Sequence, residues 1–535
     1  MGLYVSYRFI VLGRDIWLLI TGNTLGNMAT NQLKAGAVLN YIILLLNAVV
    51  GLLYTPFMLR CLGQSEYGLY SLVASIIAYL TLMDLGFGNA VIRYTAKYRA
   101  EQKTEEQYHL FGMLFVIYSI IALFALFVGL FLYVNVDDIF GKTMTIEELE
   151  KARIMMLILT FNLTITFIFQ IFGAIITAYE DFVFQKTIQI IRIILNTLIM
   201  VLLLYIGYKA ITMIVVTTIF NVLTLFINAF YCKYKLGIHL KFGHFDKKLM
   251  KEIAIYAFWI FLNAIMDRIY WSTGQFVLGA VAGTIAVSVF ALAIHFESMY
   301  MSFSTAISGV FLPKITSMVA TKQSNQRISD LFIRTGRIQY VVLAFILSGF
   351  IVFGKQFICL WAGVEYAEAY IIALMFFCSL LIPLIQSVGI TILQARNQMK
   401  FRSLLYIVIA VCSLIAQYYL SQLYGAKGCA IAVAIALLIG QGGVMNLYYM
   451  KKQHLDIARF WHEIAKMSFV PLLLSLIGLL VFRQIEINTW RSLSLFVGVF
   501  TIIYLPSFWF FSMSKDEQKL FATSMVKMKK RLPFH

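Results

Sequence analysis

The chain has 535 residues, of which 61% are hydrophobic and only 13% are charged, and its formal net charge is +18. Soluble globular domains carry about 25% charged residues, so this composition excludes a string of soluble domains. The positive charge does not indicate a nucleic-acid partner, because Lys and Arg lie in short clusters between apolar runs, where anionic lipid head groups attract them. The six cysteines show no metal-ligand spacing, and we expect no disulfide, metal or cofactor.

Apolar runs long enough to cross a bilayer, about 20 residues each, recur along the whole chain. An N-terminal segment, 1–30, precedes them and is either interfacial or an over-called start. A first set of six runs covers 36–58, 66–88, 110–134, 154–177, 187–207 and 210–232. A second set of six covers 253–279, 284–306, 337–357, 366–388, 404–422 and 427–449. Two further runs, 465–482 and 493–513, bring the prediction to about fourteen transmembrane helices.

Loop charge predicts the orientation of these helices. Lys and Arg are concentrated in alternate loops, such as 93–103 and 233–251, and in the C-terminal tail. The intervening loops carry few positive charges, and 135–153 is net acidic. Because cytoplasmic loops carry an excess of Lys and Arg, we predict a multi-pass protein with both termini in the cytoplasm.

A short repeat relates the two sets of six helices. Residues 62–72 match 282–292 at an offset of 220, with Gly63 over Gly283 and Tyr70 over Phe290. Copies separated by six helices have the same membrane orientation, which is a parallel repeat. We therefore predict an all-α fold with an N-lobe (31–245), a C-lobe (246–452) and a remainder (453–535) that holds helices 13 and 14 and a basic tail. Two facing lobes would enclose a central cavity.

Polar residues near the middle of a predicted span are the first candidates for a binding site. A charge at bilayer depth is costly and needs a partner or a hydrated cavity. The seventh helix carries Asp267 and Arg268, and Asn263 and Tyr270 share a helical stripe with Asp267. The repeat offset places Asn47 over Asp267. We predict that these residues line a cavity in which Arg268 meets an anionic group.

The eighth helix adds two titratable residues, His295 and Glu297. Histidine is the side chain most easily moved across neutral pH, so this pair is our candidate for coupling a proton to a conformational change. The structural alternative is an ion pair between Arg268 and Glu297 that only joins two helices.

Amide side chains within the spans are weaker candidates for lining the cavity. Hydrogen bonding between helices explains each of them equally well. They are Asn47, Asn162, Gln170, Asn196, Asn221, Asn228, Gln386, Gln417 and Gln441.

Two stretches carry a family resemblance: Leu-Gly-x-x-Glu-Tyr-Gly-Leu-Tyr over 62–70 and Asp-Leu-Gly-Phe-Gly-Asn-Ala-Val-Ile-Arg-Tyr over 84–94. With Phe-Leu-Pro-Lys over 311–314, the chain resembles Wzx-type flippases for O-antigen and capsule. These are polysaccharide biosynthesis proteins of the multidrug/oligosaccharidyl-lipid/polysaccharide (MOP) exporter superfamily. The motifs cover about 30–105 and 250–340, and the rest agrees in helix number and length.

The resemblance implies a transporter and not an enzyme. Its substrate would be an undecaprenyl-pyrophosphate-linked oligosaccharide, moved by alternating access from the inner to the outer leaflet of the bacterial cytoplasmic membrane. Such a protein contacts membrane lipids and uses a proton or sodium ion for coupling. Arg268 matches the cation of the family's cavity, and Arg93 and Arg192 would guide the head group at the inner mouth.

Three alternatives stay open. A multidrug or cation antiporter of the same superfamily would need acidic residues in its cavity, which Asp267 and Glu297 permit. A membrane polysaccharide polymerase or ligase would carry a large outer loop with catalytic Arg or His, and no loop here has that size. A scaffold without transport would not need charges in mid-membrane.

Overall fold

A computed structural model describes residues 25–84, 87–243, 246–308, 315, 317–319, 321, 323–396, 398–482, 485, 487–515 and 517–518. These residues are helical or connect helices, and none of them is in a β-strand. The all-α prediction is therefore confirmed for the described chain. Residues 1–24 of the N-terminal segment, 311–314 of the third motif, and the tail from 519 lie outside the described residues.

Seventeen helices are named here in chain order, and most are long and apolar. They are α1 Leu25–Leu80, α2 Phe87–Ala100, α3 Thr104–Val134, α4 Val136–Phe140, α5 Ile146–Ala178, α6 Phe182–Ile206, α7 Ala210–Tyr234, α8 Lys247–Trp271, α9 Thr273–Val281, α10 Gly283–Ser308, α11 Asn325–Trp361, α12 Ala369–Ile385, α13 Ser387–Ala395, α14 Lys400–Leu437, α15 Asn446–Lys451, α16 Ile457–Phe482 and α17 Trp490–Phe511. A π-helical segment, Leu438–Met445, joins α14 to α15.

Eleven helical segments of the described chain are long and apolar enough to cross a membrane. Two of them, Val38–Leu80 with 43 residues and Lys400–Lys451 with 52, are about twice as long as the ~20 residues that one crossing needs. Each contains a glycine with positive φ, Gly63 (76°) and Gly425 (55°), where the helix direction changes. These glycines stand where the sequence predicts one span to end and the next to begin. Helices α8 and α9 overlap the remaining predicted span, and the exact count of fourteen stays a prediction.

N-lobe and C-lobe are used here for residues 31–245 and 246–452, a division that stays a prediction. Within the N-lobe range, α1 and α6 run side by side. Gln32 accepts a hydrogen bond from the Val183 N–H (3.2 Å), and Lys186 donates to Asn40 (3.1 Å). Helix α5 packs between α3 and α7.

Within the C-lobe, α10 packs on α12, with the rings of Tyr300 and Phe377 stacked at 4.3 Å. The last two long helices, α16 and α17, pack on α11. They add to the C-lobe and leave its face toward the N-lobe free.

The N-lobe and the C-lobe meet mainly at the end of the bundle that the charge pattern predicts to be outside. Glu148, at the start of α5, uses one carboxylate oxygen for a capping box with the N–H of Thr145. Its other oxygen accepts hydrogen bonds from Ser65 (2.6 Å) and Thr284 (2.8 Å), which belong to different lobes. We call Ser65, Glu148 and Thr284 the outer latch.

The two matched turns of the repeat contact each other at this latch. Gly63 and Gly283, which the repeat pairs, have similar left-handed backbones, with φ of 76° and 80°. A Cβ added to Gly68 would lie 1.9 Å from the Thr284 carbonyl oxygen, so only glycine permits this approach. Further interlobe hydrogen bonds at the same end run from Arg60 to Leu360 O (2.7 Å), from Gln64 to Glu365 O (2.7 Å), from Trp361 to Leu52 O (2.9 Å) and from Thr143 to Gly279 O (2.6 Å).

Candidate functional site: a cavity between the lobes

A cavity of about 870 Å³ lies between the two lobes, below the outer latch. Helices α1, α5, α6 and α7 of the N-lobe form most of its wall, and α9 and α10 of the C-lobe close the other side. Its polar lining residues are Asn47, Tyr54, Thr55, Tyr67, Tyr70, Ser71, Thr81, Asn162, Thr166, Arg192, Asn196, Thr197, Thr217, Asn221, Gln275, His295 and Ser298. Amides and hydroxyls donate and accept hydrogen bonds, so this wall can bind sugars and phosphates as it binds water.

Arg192 is the only Lys, Arg, Asp or Glu among the described lining residues. It lies on α6, and its Nη1 donates a hydrogen bond to Asn221 Oδ1 of α7 (3.3 Å). The amide nitrogen of Asn221 donates in turn to Asn162 Oδ1 (2.7 Å) and Thr166 Oγ1 (2.8 Å) of α5. Three helices thus hold one guanidinium group at the cavity wall, and Arg192 forms no ion pair with a described carboxylate. We call these four residues the Arg192 cluster.

Three other lining side chains carry a buried polar atom without a hydrogen-bond partner in the described part of the protein. The atoms are Tyr54 Oη, Asn196 Oδ1 and His295 Nε2. Asn196 follows Arg192 by one turn of α6. The His295 ring stacks against Trp361 and packs on the α1 backbone, where a Cβ at Gly51 would lie 3.6 Å from its Cε1. Buried polar groups are normally paired, so these atoms are available to a ligand.

The structure places three of the predicted site residues in this cavity: Asn47, Arg192 and His295. Arg268 is half-buried in α8 and does not line it. The Arg268 carbonyl oxygen accepts a hydrogen bond from the hydroxyl of Tyr79 (3.3 Å). Arg192, predicted only as a guide at the inner mouth, is therefore the cation within the cavity.

The other predicted residues lie elsewhere. Tyr270 is buried in the C-lobe with its ring edge-on to Tyr406 at 6.0 Å. Arg93 is exposed on α2, beside the ring of Tyr94. The side chains of Asn263 and Asp267 lie outside the described part of the structure.

Glu297 is buried in α10, with 3% of its surface exposed, and does not line the cavity. It forms no ion pair with Arg268, and both side chains are described. The alternative of an Arg268–Glu297 bridge between helices is therefore wrong. The two residues are on different helices and their side chains do not meet.

The amide candidates divide between the two interpretations that the sequence left open. Asn47, Asn162, Asn196 and Asn221 line the cavity. Gln170 and Gln386 connect different segments through hydrogen bonds to Asp84 and Asn446. The hydrogen bonds of Gln417 to Ser413 and Cys429 lie within α14. Sequence reasoning did not single out Tyr54, Tyr67 and Tyr70, although their grouping around the Gly63 turn is visible in the sequence.

With this geometry in place, the family can be assigned. A family model described as polysaccharide biosynthesis protein matches residues 33–319, more than half of the chain. The chain belongs to the polysaccharide biosynthesis protein family. It is 20% identical over 391 residues to a Shigella flexneri protein named "Putative O-antigen transporter", covering 72% of this chain and 90% of that one. It is also 20% identical over 462 residues to "Uncharacterized membrane protein EpsK" of Bacillus subtilis (strain 168), covering 84% and 89%.

Solved structures show which fold this family member has. The lipid II flippase MurJ in an inward closed conformation matches with a TM-score of 0.67 and 16% identity, over 88% of this chain and 97% of that one. A multidrug resistance MATE family transporter of the MOP superfamily, in an inward-facing conformation, matches with a TM-score of 0.63 and 14% identity, over 75% and 95%. The fold is thus that of MOP superfamily transporters, as the motifs predicted.

Proposed function

We propose that this protein is a flippase that carries a diphosphate-linked oligosaccharide lipid across the bacterial cytoplasmic membrane. The observation that carries the proposal is the Arg192 cluster, which positions one guanidinium in the cavity. The other polar groups of the described lining are amides, hydroxyls, tyrosines and His295. A guanidinium presents paired donors that match phosphate oxygens. The names of the Shigella relative and of MurJ support this substrate class.

A drug-cation antiporter of the same superfamily is less well supported. Binding a cationic drug would call for a carboxylate in the cavity, and the described lining has none. A polymerase or ligase is disfavoured by the short connections between the described helices, which leave little room for a catalytic domain.

Transport would alternate between access from the cytoplasm and from outside, with both termini in the cytoplasm. The outer latch would have to open in the second state. Proton coupling at His295 and Glu297 remains our proposal for the driving force, because one residue lines the cavity and the other is a buried carboxyl group with a partner-free Oε1 among the described residues. Sodium is the alternative coupling ion.

The test is leaflet exchange of a fluorescent polyprenyl-diphosphate oligosaccharide by purified protein in liposomes. We expect Arg192→Ala to raise KM by about 10- to 100-fold, since a hydrogen bond to a charged group contributes about 1.5–3 kcal/mol. Arg192→Lys should keep part of the affinity, because the charge stays while the planar fork is lost.

Arg268→Ala is the matched comparison, since it removes the other candidate guanidinium without touching the described cavity wall. We expect a smaller effect on KM than for Arg192→Ala. Wild-type transport by Arg192→Ala would refute the role of Arg192 in binding the diphosphate. Efflux of cationic drugs by a wild-type protein that moves no glycolipid would refute the proposed function.

A further inference from the structure

The cavity has room and hydrogen-bonding groups for sugars, but its described lining carries only one fixed charge. If the diphosphate takes Arg192, the described lining offers no second Lys or Arg to a charged sugar. Of the basic residues outside the lining, Lys186 donates to Asn40, and the Arg402 guanidinium lies over the Tyr406 ring at 4.3 Å. Arg268 is half-buried in α8 and does not line the cavity. A carboxylate on the glycan would therefore be buried next to the phosphates without a compensating cation, which is strongly unfavourable.

The partner-free atoms of the cavity favour the same conclusion. Asn196 Oδ1 can only accept a hydrogen bond, whereas the Tyr54 hydroxyl and the His295 ring nitrogen can donate or accept according to their protonation. Sugar hydroxyls and acetamido N–H groups donate and accept, so they can satisfy all three atoms. An ionised carboxylate only accepts, so it would leave the acceptor Asn196 Oδ1 without a donor.

Asn196 and Arg192 are one helical turn apart on the same wall of the cavity. A turn of helix advances about 5.4 Å, close to the length of one sugar ring, so a diphosphate at Arg192 would place its first sugars near Asn196. Tyr54 on α1 and His295 on α10 approach from the other walls. The groups thus surround the position where the glycan begins.

We infer that the transported glycan is uncharged next to its diphosphate, built from neutral or N-acetylated sugars without uronic or other acidic residues. The inference rests on the proposed function, because it names the substrate class of the same cavity. Tyr54, Asn196 and His295 form the sugar site, and acidic sugars are excluded because the described lining has no second Lys or Arg.

The experiment compares two polyprenyl-diphosphate disaccharides that differ only at C6 of the second sugar, a glucose in one and a glucuronic acid in the other. Leaflet exchange by the full-length protein in liposomes is measured for each, alone and in competition. We expect the neutral lipid to be moved at least 10-fold faster. Equal rates, or a preference for the acidic lipid, would overturn the inference while leaving the flippase function intact, whereas transport of neither would overturn the proposed function itself.

Two variants test the residues. Asn196→Lys should raise transport of the acidic lipid relative to the neutral one, with Asn196→Gln as the uncharged control. Tyr54→Phe keeps the ring and removes the hydroxyl, so it should raise KM for the neutral lipid several-fold. This variant tests the sugar site independently of whether Asn196→Lys folds. Unchanged selectivity in a folded Asn196→Lys protein together with an unchanged KM in Tyr54→Phe would exclude this sugar site.

Discussion

At the scale of single residues, the main finding is that asparagines hold an arginine in place within the membrane. Arginine has many rotamers, so an unanchored guanidinium would lose conformational entropy each time it bound a ligand. Asn221 removes much of that freedom because it accepts from Arg192 and donates to Asn162 and Thr166. A guanidinium is cationic at physiological pH, and a neutral anchor leaves that charge available to a ligand.

Replacing Asn221 tests this positioning role. In Asn221→Asp a carboxylate would replace the neutral acceptor 3.3 Å from Arg192 and compete with the substrate phosphate. We expect KM to rise by about 10-fold or more, with kcat changed less, whereas Asn221→Ala should raise KM only a few-fold. Asn228→Ala, two turns along α7 and outside the cavity lining, is the control in the same flippase assay. A wild-type KM in Asn221→Asp would contradict the role.

At the scale of helices, an ion cluster attaches the last two long helices to the C-lobe. Arg337 is the first residue of the predicted span 337–357, but it is buried well inside α11, which begins earlier than expected at Asn325. Its guanidinium donates twice to Glu517, just beyond α17, with distances of 2.6 and 2.8 Å, and once to Glu463 of α16. The sequence shows charged residues near the ends of the predicted spans. It does not show that Arg337, Glu463 and Glu517 contact one another in the folded protein.

Breaking this cluster should destabilise the C-terminal helices. Arg337→Ala leaves two carboxylates without their partner, and removal of one member of a buried ion pair costs about 3–5 kcal/mol. We expect a clearly lower melting temperature in detergent or nanodiscs. Arg334→Ala, one turn earlier on the exposed face of α11, is the control. Equal melting temperatures for the two variants would show that the cluster contributes little.

The same cluster predicts a pH dependence. Burial opposes ionisation of Glu517, but the hydrogen bonds from Arg337 and from the Ser514 backbone N–H outweigh it, so the pKa of Glu517 lies below its usual value of 4.5. A lowered pKa in the folded state means that the stabilisation is present above pH 4.5 and is lost as the pH falls through the folded value. Wild-type protein should lose stability below about pH 4.5, and Glu517→Gln should lack this part of the loss.

At the scale of the whole molecule, the outer latch joins the two lobes at the end of the bundle that the charge pattern predicts to be outside. The matched turns of the repeat meet there, and Glu148 bridges them while its second oxygen caps its own helix. Two conformations exchange according to the difference in free energy between them, so removing contacts made in only one of them shifts the populations. We expect the hydrogen bonds of Glu148 to Ser65 and Thr284 to form only while this end of the cavity is closed.

Opening of the outer latch can be measured by labelling. Glu148→Ala, in a cysteine-free background with Ser298→Cys in the cavity wall, should react several-fold faster with a membrane-impermeant maleimide added from outside. Glu147→Ala is the matched control, since this neighbouring carboxylate is exposed and pairs only with Lys151 among the described residues. Equal labelling rates in the two variants would show that Glu148 does not keep the outer latch closed.

The sequence by itself determined the helices, the transporter fold and the family. A bilayer requires about 20 apolar residues for each crossing whatever the tertiary arrangement, so the spans are visible in composition. Gly63 and Gly425 stand where the sequence separates neighbouring spans, although helix continues on both sides. The motifs likewise led to the family that the match over 33–319 establishes.

Only the tertiary structure decided which polar residues share the cavity. Arg192, Asn221 and Asn162 lie on three helices, and nothing in the spacing along one helix predicts contacts among three. Lipid-facing and protein-facing surfaces are both apolar in a membrane, so the periodicity that identifies the inner face of a soluble helix is weak here. The position of Arg268 near the middle of a predicted span was therefore the only reason to predict it as the cation of the cavity. Packing between helices sets the rotation of α8 beside Tyr79 and of α6 beside Asn221. Because of this rotation, Arg192 and not Arg268 faces the cavity.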